Sequence, residues 1–407
     1  MEARQAVAAF RSLQFKHVFA KWNVKRVMKS ANHESQITNR GILNMPKRLA
    51  NKRLVGPEDF EPTSDEFRII GAFNPGAVRF GDDIILLVRV VQAVNAAIDG
   101  GWLRSPRSLV VDGEVHYEID RLEIAGRDGA ADHRKPQLVS GHRRLAFVSH
   151  IELVRLAADG YTIKEIVRSP QLFGRTDYEE YGVEDPRITE VDGRFYITYV
   201  SVSDAMGVAT SLMSTTDFVN FERHGVIFPC ENKDVVLFPE RIGGRVHCHH
   251  RPVGAINIRK LAITAGSSPD LIDWGRHHRV LGCEATGWRS SRIGAGTPPI
   301  KTEAGWLSII HGVEKLGDDA VGTYTAGAML NPLDNPSRVL AVSQKAFFKS
   351  ENDYEIDGYV KNVVFPTGAV RDLEDPDRLH VYYGCADSVV AVATYSIEAI
   401  LKSLRKA

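Results

Sequence analysis

The sequence has little of several things, and each shortage excludes a class of protein. Four cysteines among 407 residues, Cys230, Cys248, Cys283 and Cys385, lie far apart with no C-x-x-C spacing. That argues against a zinc ribbon, a redox motif or a disulfide framework, and fits a reducing compartment. An excess of one charge is missing: lysine plus arginine and aspartate plus glutamate number 51 each. No global field therefore points to nucleic acid or membrane, an anion site must be a local cluster, and the expected partner is small and mostly uncharged. The longest apolar runs are strand-sized, such as Ile84 to Val88, too short to span a bilayer. The N-terminus opens Met-Glu-Ala-Arg without an apolar core of signal-peptide length, so a cytoplasmic location is expected. No Gly-x-Ser-x-Gly elbow marks a nucleophile, and Gly294-Ala-Gly296 alone makes no dinucleotide fingerprint.

What is present is a core's worth of apolar residues, 43% of the chain, arranged in a repeat. Residues 1 to about 35 come first and alternate apolar and basic positions at helical spacing, with Val7, Phe10, Leu13, Phe15, Val18, Phe19 and Trp22 as anchors. This basic amphipathic helix reads first as one packed on the domain or on a second subunit, as in a homo-oligomer, with a membrane-surface or targeting helix as the lesser alternative. From about Asn39 to Thr63 the chain reads as an extended connector. Beyond it a proline opens a short strand, a turn rich in glycine or charge follows, and a second apolar strand returns. Copies start at Pro75, Pro186, Pro239, Pro299 and Pro366, with a weaker sixth at Pro136 ending Leu145-Ala-Phe-Val-Ser. These are β-hairpins. Outer strands follow in Asp217-Phe-Val-Asn-Phe-Glu-Arg-His-Gly-Val-Ile-Phe and Asp270-Leu-Ile-Asp-Trp-Gly-Arg-His-His-Arg-Val-Leu.

Four short strands repeated about every fifty to sixty residues predict a β-propeller. The expectation is an all-β, five-bladed β-propeller at residues 64–407, with an N-terminal helical extension and connector at 1–63 and a short C-terminal helix from Ile397 to Leu404. In such a fold the ends of inner hairpins from different blades meet at a central channel, so polar groups there deserve notice. Asn74 and Arg89 flank the first hairpin, and Asp185 precedes the second. Asn232, Lys233 and Asp234 lead into the third, which closes with His250 and Arg251; Lys301, His311 and Tyr324 belong to the fourth, and Asp387 closes the fifth.

At the centre stands Tyr178-Glu-Glu-Tyr-Gly-Val-Glu-Asp-Pro-Arg-Ile. Pro186 biases Asp185 toward an extended backbone, which places this acid on a loop or strand start. Along His247-Cys-His-His-Arg, side chains alternate between faces, so the four potential ligands cannot converge on one ion, and no metal is expected. His250, Arg251, Lys233 and Lys301 instead form a cationic set suited to phosphate or sulfate. Ordinary ion pairing with Asp234, Glu240 or Glu303 is the structural alternative.

Asn74-Pro-Gly-Ala, Gly182-Val-Glu-Asp-Pro-Arg-Ile, Asn232-Lys-Asp-Val-Val-Leu-Phe-Pro-Glu, His250-Arg-Pro, Pro298-Pro-Ile-Lys-Thr, Asn362-Val-Val-Phe-Pro-Thr-Gly-Ala and Tyr382-Tyr-Gly-Cys-Ala-Asp-Ser occur in this order. Together, over roughly residues 70 to 390, they resemble glycoside hydrolase family 130, five-bladed propeller enzymes acting on β-mannosides, mostly inverting phosphorylases with some hydrolases. The resemblance implies that Asp185 is the general acid, relaying its proton through a sugar hydroxyl, and that Asn74, Arg89 and Asp387 hold the mannosyl unit. It implies a phosphate site at Asn232, Lys233, His250, Arg251, Lys301 and Tyr324. Residues from about Val91 to Arg144 depart from the pattern and read as an insertion.

Inverting hydrolysis needs an acid and a carboxylate base, whereas phosphate is already an anion and needs cations in place of the base. The residue set therefore predicts phosphorolysis of a β-mannoside to α-mannose 1-phosphate, with inorganic phosphate as co-substrate and no cofactor. An inverting β-mannosidase using Glu184, Glu179 or Glu180 as base is one alternative, and a non-catalytic carbohydrate-binding propeller is another. Asp185, as the acid, is expected to have a raised pKa.

Overall fold

The computed structural model describes residues 45–124, 137–139, 142–229, 231–254, 258–315 and 321–407. The N-terminal amphipathic pattern, and the subunit contact suggested for it, lie outside the described residues. The described chain is nearly all β. Its short helices include Asp353–Ile356 and Ile397–Ser403, the latter where the tail pattern predicts one. Among the described residues no helix is long and apolar enough to cross a membrane.

Five larger antiparallel sheets carry the fold. The first orders Phe67–Phe80, Asp83–Val94, Phe147–Leu156 and Ile163–Val167. The second runs Val183–Val191, Arg194–Ser203, Gly207–Thr215, Glu222–Phe228, and the third Asn232–Leu237, Val246–Pro252, Ala262–Ser268, Gly275–Gly282. The fourth starts at Arg292–Ala295 and continues through Gly305–Glu314 and Thr323–Asn331 to Ala341–Val342, with Ile300–Thr302 also paired to its second strand. The fifth comprises Val364–Arg371, Arg378–Cys385, Val389–Ser396 and, outermost, Ala50–Val55.

The first strands are neighbours in a closed circuit. Phe67–Phe80 touches both Val183–Val191 and Val364–Arg371; Val183–Val191 touches Asn232–Leu237, which touches Arg292–Ala295; and the second and third strands of the fourth sheet touch Val364–Arg371. Alternation along each strand drives this arrangement, because successive side chains face opposite ways and both sides are apolar. In Asp83–Val94, Ile84, Leu86 and Val88 pack with Tyr382, Val390 and Val392 of the fifth sheet. Ile85 and Leu87 pack with Ile197 and Tyr199 of the second. Equivalent clusters join second to third, third to fourth and fourth to fifth. Each sheet is thus buried on both faces by its neighbours, and the circuit holds only when all contacts are made.

Segments near the two ends of the described chain supply further strands. Ala50–Val55, within the stretch that reads as an extended connector, pairs with Val389–Ser396, and Arg405–Lys406 pairs with Ala341–Val342. Arg48 reinforces the first junction. Its guanidinium lies over the Phe348 ring and pairs with the buried Glu355 at 2.7 Å, while Tyr383 also donates to Glu355.

The structure revises how the prolines act. Pro75, Pro186 and Pro366 do not open strands but stand inside the first strands of three sheets, beside slips in register. Pro239 follows its strand and Pro299 falls between Arg292–Ala295 and Ile300–Thr302. Proline has no N–H for the ladder, and a bulge is where a strand tolerates it. The sixth hairpin reduces to Gln137–Val139 paired with His142–Arg144, whereas Phe147–Leu156 is the third strand of the first sheet. The divergent segment contains a further sheet, Ile98–Asp99, Trp102–Val111 and Glu114–Glu123. Ser108 N donates to the Glu180 carbonyl at 2.7 Å, which ties this sheet to the loop leading into Asp185.

Removing Glu355 leaves Arg48 and Tyr383 without their buried acceptor at the closure. Glu355→Ala is expected to lower stability by about 3 kcal/mol in urea unfolding; a loss below about 1 kcal/mol, the range of a surface pair, would show that this clasp does not hold the circuit.

Candidate active site

Three first strands break register at equivalent points, and a residue with left-handed backbone sits at each break: Asn74 (φ 51°), Asp185 (φ 50°) and Asp234 (φ 57°). Asn and Asp tolerate this region better than other non-glycine residues, and a bulge re-aims the side chain that it carries. The extended backbone expected for Asp185 is therefore not found. The bulge, rather than Pro186, sets its conformation. Ala386 and Asp387 adopt similar angles (φ 47° and 48°) just past Arg378–Cys385. All four polar residues line one cavity of about 400 Å³.

One wall of the cavity is built around Arg89. Its Nη1 donates to Asp185 Oδ1 at 3.1 Å, Nη2 to Glu184 Oε1 at 2.7 Å and Nε to Ser149 Oγ at 3.1 Å. Asn74 Nδ2 donates to the same Asp185 oxygen at 2.8 Å. Arg187 donates to the Asp185 main-chain carbonyl and, at 3.2 Å, to that of Gly296. Burial alone would raise the Asp185 pKa, but the charges of Arg89 and Arg187, the Asn74 hydrogen bond and Lys233 outweigh it and hold the carboxyl below its ordinary value. The raised pKa expected for this acid is thus not found. Asp387 shows it instead, pushed up to about 6 by burial, against the pull of Arg89 and with the repulsion of Asp185 and Glu184.

A cationic set shares the cavity. Lys233, Arg251, Arg292, His311 and Tyr324 line the same cavity, together with Asp234. Arg251 Nη1 lies 3.1 Å from Asp234 Oδ2, His311 Nε2 3.5 Å from that oxygen, and Arg187 Nη2 3.8 Å from Oδ1. Burial and the neighbouring arginines, against Asp234, push His311 down to about 4, so it is neutral at pH 7. Tyr324 accepts from Arg292 Nη1 at 2.8 Å. Arg292 escaped the sequence reading; its signal is its place as the first residue of an inner strand, the place Asn232 holds in the preceding sheet.

Three residues expected in the anion site stand elsewhere. Asn232 and His250 are buried behind the wall, with Asn232 Nδ2 2.9 Å from His250 Nδ1, and His250 Nε2 3.1 Å from His277 Nδ1. The His250 ring stacks on Phe228. Burial, with His277 and His249 adding repulsion, pushes its pKa down to about 3, so it carries no positive charge to an anion. Lys301 is half exposed, off the cavity, and paired with Glu240 at 2.6 Å, the ion-pair alternative raised from sequence. Along Val246–Pro252, His247 faces the Ile242 carbonyl and His249 that of Pro336, each in separate contacts. Glu179, one candidate base, is fully buried and held by Arg223 and the Arg175 N–H away from the cavity.

A second cavity, of about 150 Å³, adjoins the first and shares Arg89, Phe73, Val360 and Asp387 with it. Ile70, Val91, Phe147 and Tyr359 complete its mostly apolar lining.

A family model described as beta-1,4-mannooligosaccharide phosphorylase matches residues 147–406. A beta-1,2-mannobiose phosphorylase of Listeria innocua is 34% identical over 364 residues, covering 88% of this chain and 98% of the relative. A 1,2-beta-oligomannan phosphorylase of Thermoanaerobacter is 36% identical over 234 residues, 57% of this chain and 74% of the relative. The structure of the Listeria innocua protein in complex with beta-1,2-mannobiose superposes with a TM-score of 0.76 at 33% identity, over 86% of this chain and 96% of that one. With the family model spanning more than half of the sequence and a relative matched along nearly its whole length, the chain belongs to glycoside hydrolase family 130.

Proposed function

We propose that the protein is an inverting phosphorylase that converts a β-mannoside and inorganic phosphate to α-mannose 1-phosphate and a shortened acceptor sugar, with no cofactor. The observation that carries this reading is the division of one cavity into an acid wall, with Asp185 and Arg89, and a cationic wall, with Lys233, Arg251 and Arg292. β-1,2-Mannobiose is the substrate we assign first, because a relative named for it shares 34% identity over 88% of this chain. The closed circuit of first strands supports reading the five sheets as blades of a five-bladed β-propeller whose channel is the active site. A reducing, cytoplasmic setting is supported by the free thiols of Cys248, Cys283 and Cys385.

In this scheme the mannosyl unit lies between the walls, held by Asn74, Arg89 and Asp387. A phosphate oxygen held by Lys233, Arg251, Arg292 and Tyr324 attacks the anomeric carbon as the glycosidic bond breaks on the opposite face. The leaving oxygen takes a proton passed from Asp185 through a sugar hydroxyl. Because Arg89, Arg187, Asn74 and Lys233 favour the ionised form of Asp185, some of these interactions must weaken on substrate binding for Asp185 to act as an acid. Asp387, across Arg89, is the carboxyl that retains a proton closest to neutral pH. The smaller adjoining cavity, with Phe73 and Phe147 in its lining, suits one face of a pyranose ring of the acceptor.

Incubation of β-1,2-mannobiose with and without phosphate is expected to give α-mannose 1-phosphate only when phosphate is present, and none with Asp185→Asn. Free mannose released equally fast without phosphate would establish a hydrolase, and binding without turnover a carbohydrate-binding protein. Arg251→Ala is expected to raise the phosphate KM by about 10- to 100-fold, the worth of a charge-assisted hydrogen bond, with a small change in the mannoside KM, while Lys301→Ala leaves both unchanged. Equal effects of the two substitutions would contradict the placement of the anion. For Asp387 the folded pKa lies above the unfolded one, so the native state binds the extra proton. Stability is therefore expected to fall, by up to about 3 kcal/mol, as pH rises from 4 to 7. Chemical unfolding of Asp387→Asn across this range should lack that component of the fall, and identical profiles would refute the assignment.

A further inference from the structure

A cluster of cations attracts any oxyanion of suitable size, yet this one has a carboxylate built into it. Asp234 is 5% exposed and lines the cavity beside Lys233 and Arg251. Two separate features of the sequence bring it there. Its own backbone is left-handed, at the register slip of its strand. Opposite it stands Gly294, where a Cβ would come within 2.2 Å of Asp234 Oδ2 and 2.3 Å of His311 Cε1, so only glycine admits the carboxylate.

Asp234 is close to its cations without satisfying them. Its Oδ2 lies 3.1 Å from Arg251 Nη1 and 3.5 Å from His311 Nε2, and its Oδ1 3.8 Å from Arg187 Nη2. Arg187 Nη2, Arg251 Nε and His311 Nε2 are buried without a hydrogen bond among the described residues, and buried polar groups normally find one, so the ion pairs leave polar atoms of these side chains unused.

An ionised carboxylate accepts hydrogen bonds and donates none. Beside a bound oxyanion it is repulsive unless that oxyanion brings a hydrogen of its own. Hydrogenphosphate and dihydrogenphosphate carry a P–OH near neutral pH, as arsenate carries As–OH, and sulfate carries none. We propose that Asp234 is the specificity-determining residue of the anion site, accepting the hydroxyl hydrogen of phosphate and thereby rejecting sulfate. This rests on the reading of the cationic wall as the phosphate site. The same contact orients the bound anion, because the protonated oxygen is turned to Asp234 and an unprotonated oxygen remains for the anomeric carbon.

The test is phosphorolysis of β-1,2-mannobiose at pH 7 by the full chain, with sulfate and arsenate as competitors. For the unmodified protein the sulfate inhibition constant is expected to exceed the phosphate KM by about tenfold or more, the cost of an unsatisfied buried acceptor, while arsenate competes about as well as phosphate. Asp234→Asn, whose amide donates, is expected to bring the sulfate-to-phosphate ratio toward one even where turnover is slow. Sulfate competing within about threefold of the phosphate KM in the unmodified protein would overturn the proposal. So would an Asn variant that weakens phosphate and sulfate alike, which is what a purely structural Asp234 predicts. If the variant does not fold, the competition in the unmodified protein decides alone. Mannose release that does not depend on phosphate would sink the phosphorylase reading itself, a result distinct from phosphate-dependent turnover with poor discrimination.

Discussion

The site depends on one guanidinium shared among carboxylates. Arg89 donates to both Asp185 and Glu184 and acts electrostatically on Asp387. Asp387 is pushed up to about 6, first by burial and then, against Arg89, by the repulsion of Asp185 and Glu184. The three acids come from two sheets: Glu184 and Asp185 from the first strand of the second, Asp387 from just past the second strand of the fifth. Arg89 itself stands in the second strand of the first. The pairing exists only because the fifth and second sheets both flank the first. A change that opened the circuit would therefore remove the electrostatics of the acid along with its position.

The bulges do the aiming. A regular strand would alternate side chains between two apolar interfaces, each filled by a neighbouring sheet, and would leave no direction toward the cavity. At Asn74, Asp185 and Asp234 an extra residue in left-handed conformation breaks that alternation and turns a polar side chain inward, while residues on either side keep their places in the core. The local cost of such backbone is sustained by the packing on both faces of each strand. Core and site thus occupy the same short strands without competing for positions.

Much of this was legible in the sequence, for physical reasons that also mark where legibility ended. Alternating apolar positions with period two, returning after turn residues, gave the sheets, since that pattern has few other solutions. Asn74, Arg89, Asp185 and Asp387 were found through motifs and prove to line one cavity. Lys301 was misplaced because its motif is adjacent in sequence to the fourth inner strand, but its own strand pairs to the side and leads the ammonium to Glu240. His250 was counted as a cation because residue type was visible and burial was not. The depressed pKa of Asp185 depends on Arg89, Arg187 and Asn74 together, contacts across sheets that no local pattern reveals. The strand Ala50–Val55 hid in a polar stretch because an outermost strand has one side exposed and loses its apolar signature.

The circuit also separates charge by topology. Asp185 and Asp387, which line the cavity with Arg89, derive from the second and fifth sheets, while Lys233, Arg251, Arg292 and His311, with the carboxylate of Asp234 among them, derive from the third and fourth. An inverting displacement needs the nucleophile and the leaving group on opposite faces of the sugar carbon. In the proposed scheme, residues on different sheets of the circuit supply those two faces. Asp234 stands where the second sheet's Arg187 meets Arg251 of the third and the neutral His311 of the fourth. On the reading proposed above, that position ties the selectivity of the anion site to the hydrogen that the incoming anion carries.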